Sequence, residues 1–238
     1  MRSRRTDEAY VLKKVKPLPY GKMAYSLQFR ASSKMRLVDR LGEETEAFHD
    51  VIDGEAVRLL GPATAEDYRG YLKQLYGFVC PVERSIASAP GIDHYVSVRE
   101  FQKHDLLRRD LLALHMTSDQ IGRLPQCAVP SFKTPEEALG WAYPIERSTL
   151  YHGELFRHLA SVIPGEIAFA SSYLKCHFGA VGGPRESFEQ ALEIVEYSPR
   201  RAQQVIDGAR AACYCLRAWR FVHDPALARM GLSPSAAP

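Results

Sequence analysis

Residues 36–53, "RLVDRLGEETEAFHDVID", decide how the chain is read. Leu37, Val38, Leu41, Thr45, Phe48, His49 and Ile52 recur at steps of three and four residues, the spacing that puts side chains on one face of an α-helix. Ser32 or Ser33 is available as an N-cap and Gly54 as a stop, so the segment reads as a first core helix. His49 lies on the face of Leu41 and Thr45, beside the apolar Phe48 and Ile52. Spacing alone leaves it two readings, a polar residue at the edge of a core or a ligand for something buried.

The same period continues along the chain. "GPATAEDYRGYLKQLYGFVCPVERSIAS" (61–88) offers Thr64 as N-cap and an apolar face of Tyr68, Tyr71, Leu72, Leu75, Phe78 and Val79. Pro81 has no N–H and is expected to kink or divide that helix. "SVREFQKHDLLRRDLLALHM" (97–116) reads as a helix capped by Ser97, with Glu100 in capping-box position. "TPEEALGWAYPIERSTLYHGELFRHLASVI" (134–163) opens with Thr134 as N-cap and Pro135 at the first helical position, and is expected to be the longest helix, bent near Pro144. Further helices are expected from Glu166 to Phe178, Pro184 to Val195 and Pro199 to about His223. No segment alternates with period two over strand length, so the fold class is all-α, a single helical bundle over residues 34–224. Residues 1–33 mix Lys, Arg, Pro, Gly and Tyr without a period and read as a basic, partly disordered extension, and 225–238 as a loose tail.

Composition narrows the chemistry. The 238 residues are 46% hydrophobic, enough for a large core, and the net charge of +3 is dispersed, which argues against a nucleic-acid partner. Five scattered cysteines without CxxC spacing fit reduced thiols in the cytoplasm better than a disulfide frame or a zinc site. No apolar run reaches the length of a membrane span. Dinucleotide, P-loop, nucleophile-elbow and zincin signatures are all absent. Glu154 and His158 stand four apart, as in carboxylate-bridged metal bundles, but the last helix offers only Asp207 and His223 as partners, so an ordinary surface pair is favoured.

The order of four segments resembles the heme oxygenase family, and within it the bacterial biliverdin-forming enzymes associated with bacteriophytochromes. "RLVDRLGEETEAFHDVID" resembles the family's first helix, with His49 at the heme-ligating position. "YRGYLKQLYGFVCPVERSI" is similar to the second helix, "RRDLLAL" followed by "EEALGWAYPIERSTLYHGEL" to the distal-helix signature, and "ARAACYCLRAW" to the closing helix. The four span about residues 36–222.

The resemblance implies heme b, substrate and cofactor at once, held between a proximal helix bearing His49 and a kinked distal helix around 146–153. It also implies O₂ and an external electron donor, a reductase or ferredoxin, biliverdin, CO and iron as products, and a bacteriophytochrome as biliverdin acceptor. His49 is then the proximal iron ligand, with Thr45, Glu146, Arg147 and Arg217 beside the heme and Ser148, Tyr151 and His152 on the oxygen side. Glu46, Asp50 and Asp53 are available to orient the imidazole, and Arg210, Arg217 and Arg220 to pair with propionates. The family's distal glycines are replaced here by Arg147, Tyr151 and His152, while Glu146, Ser148, Thr149 and Leu150 are kept. A Cβ at those positions brings bulk to the oxygen pocket unless the helix bends elsewhere, for which Pro144 and Gly153 are available. Three readings follow: a heme-degrading oxygenase with a rebuilt distal side, a heme-binding sensor with His152 as sixth ligand, and a heme-free relative whose pocket is filled by Tyr151 and Arg147.

Overall fold

Caps written into the sequence start the main helices. Thr64 accepts the Asp67 N–H at 3.2 Å while the Asp67 carboxylate accepts the Thr64 N–H at 2.8 Å, a reciprocal capping box. Thr134 accepts the Glu137 N–H at 3.2 Å, with Pro135 in the first turn. In a computed structural model that describes residues 35–97, 99, 102–176 and 184–223, these caps open two of ten α-helices. They are α1 (Leu37–Glu44), α2 (His49–Leu59), α3 (Ala65–Ala87), α4 (His104–Ala113), α5 (Ser118–Gly122), α6 (Pro135–Ser148), α7 (His152–Val162), α8 (Pro164–Phe169), α9 (Pro184–Glu196) and α10 (Pro199–His223). No strand occurs among the described residues, so the all-α reading holds. The expected N-terminal extension, with Ser32 and Ser33, and the C-terminal tail lie outside the described residues.

Local chemistry moved several boundaries. The first core helix is two helices: a 3-10 turn over Glu46–Phe48 separates α1 from α2, where the Thr45 hydroxyl donates to the Leu41 carbonyl at 2.6 Å. α2 then runs through Gly54, which stops nothing, to Leu59. Pro81 does not divide α3. Its missing N–H leaves the Gly77 carbonyl without its helical partner, and that carbonyl accepts the Cys127 N–H at 2.8 Å. The helix expected from Ser97 begins at His104 instead, and the side chain of Glu100 lies outside the described residues. Its cap comes from another helix: the buried Glu83 carboxylate of α3 accepts the N–H groups of Lys103 (2.7 Å) and His104 (3.0 Å).

The helix expected at 166–178 shrinks to α8, followed by turns over residues 172–176. There the Ser172 and Tyr173 N–H groups both donate to the buried Asp110 carboxylate at 2.8 Å, an alternative to helical pairing. The segment after Thr134 is not the longest helix, since α10 has 25 residues and α3 has 23. α6 continues through Pro144, and the segment is interrupted instead by a 3-10 turn, Thr149–Tyr151, between α6 and α7. Ser148 and Thr149 hydroxyls donate back to the Ile145 and Glu146 carbonyls, both at 2.7 Å, and tighten the last turn of α6 there.

α10 lies directly on α6, and two glycines make the approach possible. A Cβ on Gly140 would stand 2.3 Å from the Val205 carbonyl oxygen, and one on Gly208 would stand 2.6 Å from that of Glu137. Around this pair the core gathers Leu37, Leu41, Tyr68, Leu72, Leu107, Leu139, Tyr173 and Ile206, all at most 1% exposed.

The Glu83 cap also binds the His104 ring, with Nδ1 2.5 Å from Oε2. That hydrogen bond raises the His104 pKa above its ordinary value, against burial, which lowers it. A raised folded-state pKa stabilises fully below the unfolded value and the contribution disappears as pH rises through the folded one. The urea midpoint is therefore expected to fall between about pH 6 and pH 9 by more in the wild type than in His104→Gln, and equal falls in both proteins would refute the assignment.

Candidate heme site

His49 opens α2 immediately after the 3-10 turn, half-buried, with Nε2 3.3 Å from the Thr45 hydroxyl. Thr45 is fully buried, and its oxygen is 3.2 Å from the Tyr143 hydroxyl of α6. One turn beyond His49, Asp53 accepts a hydrogen bond from Arg147 at 2.7 Å, the two side chains being 9% and 19% exposed. Burial, then the Arg147 charge, lower the His49 pKa, with Asp53, Glu46 and Asp50 opposing. Tyr151 adjoins the same ion pair: burial and the Asp53 charge raise its pKa, so its phenol keeps its proton at neutral pH. Tyr143, Arg147 and Tyr151 follow at four-residue steps, so one face of the distal segment meets the His49 helix.

Ser148 and His152 belong to the adjacent face and enter a second cluster. His152 is 1% exposed; its ring meets Tyr173 edge-on at 4.6 Å and its Nδ1 is 3.6 Å from Cys176 Sγ. The Ser148 hydroxyl lies 3.4 Å from that of Tyr173. Glu146 forms a buried ion pair with Lys103, and the charges of both act on Cys176, whose thiol burial pushes up to about 12. The residues chosen from the sequence thus divide, with Thr45, His49, Arg147 and Tyr151 in one group and Glu146, Ser148 and His152 in the other.

The basic residues of α10 have separate tasks. Arg217 lies over the rings of Phe48 (5.4 Å) and Tyr214 (5.2 Å), one residue from His49. Arg220 is 3% exposed, held by Glu55 and the Val51 carbonyl, and Arg210 pairs with Glu44 at the surface. Of the three, Arg217 is the one stacked on aromatic rings next to His49. His158 Nε2 donates to the Gly61 carbonyl at 2.8 Å, so the ring is engaged by the backbone rather than by Glu154, and among the described residues no group of three His, Cys, Asp or Glu side chains that could hold a metal occurs.

Sequence reading missed Lys103, Tyr173 and Cys176. A lysine is among the residues least often buried, so nothing in "EFQKHD" signals a cation 1% exposed. Tyr173 and Cys176 reach the site from turns that the periodicity placed on a helix. Tyr143 also joins the site through its hydroxyl contact to Thr45, a long-range approach that no local pattern signals.

Among solved structures, the chain is similar to the NO- and CO-bound heme oxygenase of Neisseria meningitidis, with a TM-score of 0.61 and 22% identity, covering 86% of this chain and 98% of that one. A search of curated proteins finds no match. No described helix is long and apolar enough to cross a membrane. The family model described as heme oxygenase matches residues 35–219, the stretch from the start of α1 to Trp219 of α10 that builds both walls around His49, and the chain belongs to the heme oxygenase family.

Proposed function

We propose that the protein binds heme with His49 as the iron ligand and degrades it oxidatively to biliverdin, CO and iron. One observation carries the reading: the imidazole at the start of α2 faces, across Asp53, the Tyr143–Arg147–Tyr151 face of the distal segment. The donor set fits heme. A half-buried, neutral imidazole is the ligating form, Phe48 and Tyr214 supply apolar contact, and Arg217 supplies a cation for a propionate. Bound heme supplies the iron at which O₂ is activated, with electrons from an external donor such as a reductase or ferredoxin. The chain's residues hold, orient and protonate. Thr45, 3.3 Å from Nε2, holds the His49 ring, the Asp53 charge acts on it without a hydrogen bond, and Tyr151 keeps a proton on the distal side. Ser148 and His152, tied to Tyr173 and Cys176, fix the backbone break at 149–151 from behind. Such chemistry fits a cytoplasmic protein, where donors are at hand, with a bacteriophytochrome as a candidate acceptor of biliverdin.

Hemin added to the purified protein is expected to give a saturable Soret band that decays, once ascorbate or a reductase system is added, as biliverdin absorption grows. His49→Ala should abolish the native ferric spectrum. A saturable spectrum with no decay under reductant would reduce the protein to a heme binder, and no saturable change would refute heme binding altogether.

The Arg147–Asp53 ion pair joins the two walls that heme must separate, so it has to open before heme is seated. A partly exposed pair of this kind opposes opening by about 1 kcal/mol, and Arg147→Ala is expected to take up hemin roughly three to ten times faster. Unchanged uptake in stopped flow would mean that the pair is no barrier.

A further inference from the structure

We propose that Cys127 and Cys215 are the site of an intramolecular disulfide that a hydroperoxide forms and a dithiol reductant removes. The two thiols come from distant parts of the chain, one in the loop between α5 and α6 and one in the last third of α10, 88 positions apart. Their sulfurs stand 2.9 Å apart, inside the separation of two non-bonded sulfur atoms, and need close by less than about 1 Å to reach the length of a disulfide bond. Both sit over the same acceptor, the Ala128 carbonyl, at 3.8 Å from Cys127 and 3.7 Å from Cys215.

Their surroundings hold them in that register. The Cys127 N–H is fixed to the Gly77 carbonyl at 2.8 Å. On the α10 side, the Trp219 indole donates to the Gln74 carbonyl at 3.1 Å and packs on Gly77, where an added Cβ would stand 2.4 Å from the ring. Loop and helix are thus anchored to the same turn of α3, and the sulfurs meet above it. No third metal-ligating side chain joins them into a metal cluster among the described residues, which leaves thiol chemistry as the use of the pair.

The two thiols are not equivalent. Cys127 is 8% exposed and Cys215 is the more accessible. The hydrogen bond the two thiols share lowers the Cys215 pKa and raises that of Cys127, and the more accessible Cys215 is the sulfur we assign as the one that meets the peroxide. The Cys215 thiolate attacks the peroxide O–O bond and becomes a sulfenic acid, releasing one water once the leaving oxygen takes up a proton. Cys127 then attacks the Cys215 sulfur; the S–O bond breaks and hydroxide leaves with the Cys127 proton as a second water. Two thiols and one hydrogen peroxide give one disulfide and two waters, the thiols being oxidised by two electrons and the peroxide reduced by two.

The test uses the full-length protein, treated with stoichiometric hydrogen peroxide and then alkylated and digested without reduction. The expected result is a mass loss of two hydrogens, a single cross-linked peptide pair carrying Cys127 and Cys215, and recovery of both free thiols with dithiothreitol. Closing so long a loop is expected to raise the melting temperature by roughly 5–10 °C, a rise absent from Cys127→Ser and Cys215→Ser, which should fold because the exchange changes one atom. Sulfinic acid on Cys215 with no cross-link, a pair involving Cys80, Cys176 or Cys213, or a disulfide between two molecules would each overturn the proposal. Since the wild-type peptide map is read directly, failure of a variant to fold would not rescue it, and the outcome is independent of whether the protein turns over heme.

Discussion

Gly140→Ala is expected to destabilise the fold by about 3 kcal/mol or more, seen as a large drop in the urea midpoint with little change in slope. The added methyl would lie 2.3 Å from the Val205 oxygen, 2.6 Å from the Ala209 nitrogen and 2.8 Å from the Gly208 carbonyl carbon. All three are backbone atoms of α10, so no side chain can turn aside and the helices themselves must separate. Gly70 of α3 is the control: nothing lies within 4 Å of a Cβ there, and Gly70→Ala is expected to be neutral or to stabilise by about 0.5–1 kcal/mol through helix propensity alone. Similar losses at both positions would mean that the α6–α10 contact is looser than described. Since α6 carries Tyr143 and Arg147 and α10 carries Tyr214 and Arg217, a wedge at Gly140 should also weaken hemin binding.

Lys103→Met is expected to cost about 3–5 kcal/mol, because it leaves the Glu146 carboxylate in the interior without its cation. Lys103 and Glu146 side chains are 2% and 4% exposed, and Glu146 Oε2 is buried without a hydrogen-bond partner among the described residues. The double variant Lys103→Met with Glu146→Leu, which removes the charge together with its partner, should recover most of the loss. If the double variant is as unstable as the single one, then packing around Lys103, not its charge, holds the segment. The pair also matters to the site, since Glu146 immediately precedes Arg147 and shares its cluster with Ser148 and His152.

What the sequence made legible followed from short-range rules. The caps at Thr64 and Thr134, the apolar face of α3 and the extent of α10 depend on contacts within one helix, and they stand as read. What it concealed depends on contacts between helices. The start of α4 is set by a carboxylate from α3, so the local capping box at Ser97 had no competitor in view. The turns after α8 form because Asp110 takes two backbone N–H groups that a helix would have used. At the site, the sequence reading put Ser148, Tyr151 and His152 together and Glu146 with Arg147, whereas the structure sets Tyr151 with Arg147 and Glu146 with Ser148 and His152, because spacing could not say which face turned toward His49. That required knowing that Asp53 stood opposite Arg147.

Pro81 shows how a defect in one element becomes a fixture for another. A carbonyl in the middle of a long buried helix is ordinarily consumed by its own ladder and invisible to the rest of the molecule. Here one missing hydrogen, four residues downstream of Gly77, returns that oxygen to circulation, and a loop spends it. The segment around Cys127 therefore borrows the rigidity of α3 rather than supplying its own. Its opening is tied to that turn of α3, and with it the register of two sulfurs that share the Ala128 carbonyl.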